Sequence, residues 1–427
     1  MGVVIGNLPD GWELTTLGEI ADLIGGGTPS REHPEYFTGG HVWLTPTEIP
    51  RNRVTVVSTS REKITDEGLK KSSARLMPKG TVLMTSRASI GYVAIAGTEV
   101  TTNQGFASFI CRDGVYNHFL AYWLLGNADY FIEQATGTTF KEITKSKLRN
   151  FSFPLPPLPE QERIVAKIEE LFTQLEAGTT ALKRVQAGLK RYKASVLKAA
   201  VEGRLLKDDS GKIKDEGALP DGWRWATLES LAAKRKHAIS SGPFGSALGT
   251  KDYVQNGVPV IRGQNIKNGE FILNNLVHVS EEKATQLIRS TAFPGDLVVV
   301  AVGSSGQPAI IPEKLPRAIL SQNCNKITLD ISIVLAKYAL FALHTDQVKS
   351  QLAEKTTDTA RPFLSLTNLK KTIIPLPPLA EQQRIVAEVE RRLSVAQEVE
   401  SVVAASVARA SRLRQSVLKS AFEGKLA

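Results

Sequence analysis

The stretch PLPPLPEQERIVAKIEELF, residues 154–172, decides how this chain is to be read, because it occurs twice. Residues 375–393 read PLPPLAEQQRIVAEVERRL, and eleven of the first thirteen positions of the two copies are identical. The second copy starts 221 residues after the first, and the same interval separates SVLKAAVEGRL (195–205) from SVLKSAFEGKL (416–426), which share eight of eleven residues. A third pair, LPDGWELTTL (8–17) and LPDGWRWATL (219–228), opens the region ahead of each copy. The order is therefore opening motif, divergent block, long helical segment, and the same again.

Each helical segment has a physical start and stop. Proline cannot continue a helix from within, so Pro154, Pro156, Pro157 and Pro159 predict an extended approach, and Glu160 and Glu162 suit the positive end of the helix that follows. Apolar residues then recur at Ile164, Ile168, Leu171, Leu175, Leu182, Val185, Leu189, Tyr192 and Val196, the steps of a heptad seam. The second copy continues the pattern at Ile385, Val389, Ala396, Val399, Val403, Ala410, Leu413 and Val417. Gly203 and Gly424 sit where a left-handed cap is expected. Helices over 160–203 and 381–424 would each be rods of roughly 66 Å. They could pack separately on local domains, but an apolar seam of that length asks for a partner. Connectivity makes an antiparallel coiled coil the natural pairing, with an approximate two-fold relation between the halves.

Composition bounds the rest. With 427 residues, 42% hydrophobic and 22% charged, the chain can bury several cores. The opening MGVVIGNLPDGW has no basic start or apolar stretch of a secretory leader, and no run approaches a membrane span, which leads us to expect a cytoplasmic protein. Two cysteines, Cys111 and Cys324, cannot build a disulfide framework or a cysteine-rich zinc site. A net charge of +10 favours a polyanionic partner.

The divergent blocks keep a faint common skeleton. HVWLTPTEI (41–49) answers VPVIRGQNI (258–266), and MPKGTVLMTSRASIGYVAI (77–95) answers FPGDLVVVAVGSSGQPAII (293–311), short Val/Ile-rich runs punctuated by Gly and Pro. The loops share little: GGGTPSREHPEYF (25–37) and SSGPFGSALGTKDY (240–253) agree only in being rich in small polar residues. The expected fold class is α+β, with two β-rich blocks and two long helices in an internal repeat. The expected boundaries are 1–153, 154–206, 207–374 with its polar connector, and 375–427.

Doubled PLPPLxEQ helix starts, doubled EGxL endings and two dissimilar β-rich blocks resemble, over essentially the whole chain, the specificity subunit of Type I restriction–modification enzymes. The resemblance implies that each block is a target-recognition domain reading one half of a bipartite double-stranded DNA site. It implies that the helices set the spacer and dock two modification (methyltransferase) subunits, and that restriction subunits join the larger complex. It also implies a non-catalytic chain without a cofactor of its own, S-adenosylmethionine being bound by the methyltransferase.

The residues agree with a binding role. No methyltransferase [DN]PP[YF] motif, dinucleotide loop or phosphate loop occurs, and the six histidines have no metal-ligand spacing. Candidates for DNA contact follow from type and loop position. Arg31, Arg87, Lys141, Lys251, Arg262 and Arg361 could reach phosphates or guanine edges, and Ser30, Thr45, Ser89, Gln264, Asn265, Ser304 and Gln307 could meet base edges or backbone. The competing class is an adaptor whose rods assemble protein partners.

Overall fold

The computed structural model describes residues 8–137, 141–206, 219–267, 269–302, 306–354 and 363–426. The chain divides into two units, one combining Met1–Lys183 with Ala404–Ala427, the other comprising Arg184–Val403.

In the first unit, a five-stranded sheet runs in the order Ala21–Gly25, Phe106–Cys111, Val82–Thr85, Val93–Ala96, Thr55–Val57. A three-stranded sheet has His41–Leu44 at its centre, antiparallel to Glu62–Ile64 and parallel to Val100–Thr102. The alternation of side chains along a strand explains why VLMT and VAIA are apolar throughout. Val82, Met84, Val93 and Ile95 face a core shared with the helix Asn117–Gly126, whereas Leu83, Ala94 and Ala96 face Val42, Leu44 and Val100 of the smaller sheet.

The second unit repeats this plan. Its larger sheet is ordered Ile239–Ser241, Cys324–Ile327, Leu297–Val300, Pro308–Ile310, and Val258–Ile261 lies antiparallel to Val277–Val279 and parallel to Ala318–Leu320. Leu297 and Val299 join the core with the helix Ala336–Leu343, and Val298 and Val300 join the opposite one with Ile261 and Leu320. The α+β class is thus realised twice on one skeleton. The turn glycines shared by the two blocks are in the left-handed region in both, Gly80 and Gly91 in one and Gly295 and Gly306 in the other.

The repeated motifs meet within each unit. Residues after LPDGW form a strand, Glu13–Thr16 or Arg224–Thr227, which pairs with the strand leading into PLPPL, Ser152–Leu155 or Ile373–Leu376. The motif tryptophan donates to the motif glutamate, Trp12 Nε1 to Glu160 at 3.0 Å and Trp223 Nε1 to Glu381 at 2.9 Å. The motif glutamine is fully buried. Gln161 accepts from Tyr116 N–H at 2.8 Å and donates to the carbonyls of Gly114 and Pro156. Gln382 does the same with Leu335 N–H, Ile333 and Pro377. Both glutamines thereby satisfy the backbone at the start of a core helix, Tyr116 and Leu335 being the N-cap residues of Asn117–Gly126 and Ala336–Leu343.

The long helices are Leu158–Val201 and Leu379–Phe422, each 44 residues. They start two residues earlier than expected; in the first, Pro159 is accommodated in the first turn, where its missing N–H costs nothing, and in the second Ala380 takes that place. They also end two residues earlier, at Schellman caps. Arg204 N–H reaches Ala199 O and Lys425 N–H reaches Ser420 O, with Gly203 and Gly424 both at φ +68°. A Cβ on Gly203 would lie 2.2 Å from Cγ of Pro220, and one on Gly424 would lie 2.2 Å from Cγ of Pro9, so each helix end seats against an LPDGW proline.

Within each unit the helical segments run antiparallel. In the first, Arg414 bonds Glu176 at 2.9 Å and covers the Phe172 ring, while Leu418 and Phe422 share a core with Ile164 and Ile168. In the second, Lys193 bonds Glu400, and Val196 and Ala200 share a core with Ile385 and Val389. The seam differs from expectation away from the β-rich cores. Val185 and Tyr192 remain 45% and 42% exposed, Val399 is also exposed, and Leu413 is 43% exposed while Leu418 takes the buried position. Near its end the second helix is oriented by packing on Phe119, to which Phe422 stacks edge-on, and this sets its phase.

Candidate nucleic-acid interface

One short element recurs at the same place in both units. The strand His41–Leu44 runs into a 3-10 turn, Pro46–Glu48, capped by Thr45, whose N–H and hydroxyl both reach Glu48 at 2.8 Å. The strand Val258–Ile261 runs into the 3-10 turn Gly263–Asn265, where Arg262 N–H reaches the Asn265 side-chain carbonyl at 3.0 Å. The local reason is the same: an acceptor three residues on satisfies an orphan N–H at the turn's start. The backbone is thereby held, and the side chains it presents differ.

The sequence candidates fall into distinct situations. Arg31 donates to both oxygens of Glu62, at 2.6 and 2.8 Å, and its guanidinium lies 4.0 Å from the centre of the Phe37 ring. The bonded carboxylate holds Arg31 above its ordinary pKa, and Arg31 holds Glu62 below the usual carboxylate range. Ser30 is exposed nearby, its hydroxyl accepting from Glu32 N–H. Thr45 serves the turn described above. Arg87, exposed, has its Nε 3.9 Å from Glu142, and the carbonyl of exposed Lys141 accepts from the N–H of Ala88, a non-glycine residue at φ +60°. Ser89 lines a groove of about 670 Å³ with Arg51, Arg412 and Arg414, cations that lie far from it in sequence.

In the second unit, Lys251 is exposed on the 3-10 turn Thr250–Asp252. Arg262 and Gln264 line a cavity of about 380 Å³ together with Tyr253, Ser321, Gln322 and Asn323. Asn265 departs from its expected role. It is only 2% exposed, and its amide both accepts from Arg262 N–H and donates to Ile272 O, so it holds the turn and offers nothing to a ligand. Gln307 is half-buried, and its Oε1 has no partner among the described residues. Ser304 and Arg361 lie outside the described residues. Sequence reasoning also passed over Phe244, 69% exposed, although a large apolar residue in a Gly/Ser loop was a visible signal.

No group of three or more metal-ligating side chains gathers among the described residues. What the two blocks present is one scaffold carrying two sets of loop side chains, and that arrangement suits recognition of a ligand with two unequal parts.

Comparison with known proteins decides the family. Residues 9–185 and 221–393 each match the Type I restriction modification DNA specificity domain. The chain belongs to this family. The EcoBI specificity subunit of Escherichia coli is 29% identical over 332 residues, 76% of this chain and 69% of that protein. The EcoKI specificity subunit of Escherichia coli K12 is 25% identical over 99% of this chain and 90% of its own length. Solved structures bear out the fold of the family. A chain from a type I R-M system whose complex assembly and conformational transition have been described superposes with a TM-score of 0.77 at 20% identity, covering 98% of this chain and 100% of that one. The HsdS subunit from Thermoanaerobacter tengcongensis gives 0.60 at 22% identity, over 100% of both chains.

Proposed function

We propose that this chain is the DNA-recognition subunit of a Type I restriction–modification complex, and that each β-rich domain reads one half of a bipartite duplex site. The observation that carries this reading is the doubled family match laid on a doubled scaffold, whose equivalent turns present Thr45 and Thr47 in one unit and Arg262 and Gln264 in the other. A fixed backbone with exchangeable side chains lets two half-sites differ while docking geometry stays constant. The net charge of +10 supplies the sequence-independent attraction to phosphates. No helix among the described residues is long and apolar enough to cross a membrane.

The long helices have two roles in this proposal. They set the spacer between half-sites, and they dock two modification subunits, with restriction subunits completing the complex. Val185, Tyr192, Val395, Val399 and Val402, exposed apolar side chains on these helices, support a protein-covered face. The chain itself performs no chemistry; S-adenosylmethionine is bound, and the methyl group transferred, by the modification subunits.

The test is selection of random-sequence duplexes by the full chain assembled with its methyltransferase partner. A consensus split by an unread spacer is expected. No consensus at moderate salt would favour an adaptor that assembles proteins.

A further inference from the structure

The cavity beside the turn Gly263–Asn265 has features that DNA recognition at large does not explain. It is lined by Arg262 and Gln264 from the turn and by Ser321 and Asn323 from the segment joining two core strands. Ser321 is 7% exposed, and among the described residues its buried Oγ has only the weakly bonding Cys324 thiol beside it. The Nε of Arg262 is also buried and has no partner among the described residues, and the guanidinium uses one N–H, on Nη2, to reach Asn275 O at 3.2 Å. Gln264 is exposed and makes no hydrogen bond among the described residues. Buried polar atoms without partners cost stability unless something else satisfies them. A planar fork of donors, an amide and two small polar side chains around one concavity match the hydrogen-bonding edge of a base pair.

The first unit provides the internal comparison. Its turn has the same strand before it, the same parallel and antiparallel neighbours and the same cap, but carries Thr45 and Thr47 where the second carries Arg262 and Gln264. In both units the third residue, Glu48 or Asn265, is kept for the backbone and the cap and second residue are the positions that differ; in the first unit the hydroxyls of Thr45 and Thr47 lie 3.0 Å apart and Thr45 also reaches Glu48.

Resting on the DNA-reading function above, we propose that the cap and second turn residue, Arg262 and Gln264 in one unit and Thr45 and Thr47 in the other, are the specificity-determining pair, and that Arg262 and Gln264 read purine edges in the major groove. Arginine meets the O6 and N7 of guanine with two parallel donors, and glutamine can meet N6 and N7 of adenine. Ser321 and Asn323 line the cavity wall beside the fork.

Arg262→Lys separates base reading from a phosphate contact, because lysine keeps the charge and loses the fork. Duplex selection and binding are measured with the full chain in complex with its modification subunits, after circular dichroism shows the fold intact. Arg262→Lys should weaken binding to the wild-type consensus by about ten- to a hundred-fold and leave binding to unrelated duplex unchanged. The selected consensus should lose identity at one base pair of one half-site, with the other half and the spacer as before. Gln264→Ala, at an exposed position, should do the same at a neighbouring base pair. The double variant Arg262→Thr with Gln264→Thr, which installs the first unit's pair, should select a new identity at those base pairs. The proposal is overturned if Arg262→Lys leaves affinity and consensus intact, if binding to all duplexes falls together, or if both half-sites relax. A wild-type protein that selects no split consensus removes the DNA reading itself and this inference with it.

Discussion

Gln382→Ala tests why the PLPPLxEQ motif ends in glutamine. The fully buried side chain accepts from Leu335 N–H at 2.8 Å and donates to Ile333 O at 3.0 Å and Pro377 O at 2.9 Å. Truncation strips partners from one N–H and two carbonyls, and each buried group left unpaired costs about 1–3 kcal/mol. A water entering the vacated space would satisfy part of this. A net loss of about 3–5 kcal/mol is therefore expected, a large fraction of a typical domain's ~5–15 kcal/mol. Gln382→Glu should do no better, since it preserves volume and the acceptor for Leu335 but sets a carboxylate against two carbonyls. Urea unfolding gives the magnitude, and hydrogen exchange by mass spectrometry gives the location. Protection should fall in Ala336–Leu343 and Ile373–Leu376, while Asn117–Gly126, whose N-terminus Gln161 holds, keeps its own. A loss below about 1 kcal/mol for Gln382→Ala, or wild-type stability of Gln382→Glu, would refute the claim that this residue joins the long helix to its domain.

Three further predictions rest on single features. Gly203→Ala and Gly424→Ala each place a Cβ at φ +68° and 2.2 Å from a proline carbon, so each should cost at least about 2 kcal/mol in urea unfolding; a change under ~0.5 kcal/mol would count against the cap. With Cys111 and Cys324 first replaced by serine, Glu176→Cys with Arg414→Cys should crosslink within one chain through a short thiol-reactive linker, and failure to do so would count against the antiparallel register. Asp296→Ala leaves the buried Lys326, whose pKa burial pushes down against the opposing pull of Asp296, without its carboxylate and should cost about 3–5 kcal/mol; Asp296→Thr with Lys326→Ser, the pair that the first unit has at Thr81 and Ser108, should recover most of that stability by thermal unfolding.

The long helices and the repeat were legible because their signals are local: prolines, a heptad pattern, a capping glycine. The skeleton of the β-rich blocks was legible from short apolar runs flanked by turn residues. What joins the motifs was not. Trp12 and Glu160 lie 148 residues apart, and no periodicity links them. Leu413 and Val185 follow the heptad count yet stay exposed, because burial there depends on which domain the helix reaches rather than on its own seam. Among the candidate contacts, residue type misled where a partner was distant in sequence. Arg31 reads as a free cation until Glu62 folds against it, and Asn265 reads as a polar loop residue until its amide closes a turn. Arg51, Arg412 and Arg414 share a groove that only the return of the second helix creates.

That return also bears on the order in which the protein is finished. The second unit is one continuous stretch, whereas the core around Phe119, Phe153 and Ile164 is closed by Leu418, Ala421 and Phe422 from the far end of the chain. A ribosome working at about 5–20 residues per second delivers the whole of Arg184–Val403 before those three side chains exist. The domain made first is sealed last. Until then its apolar floor is open to solvent, so a nascent chain stalled in the final helix would expose a binding surface for chaperones in its oldest part and not in its newest.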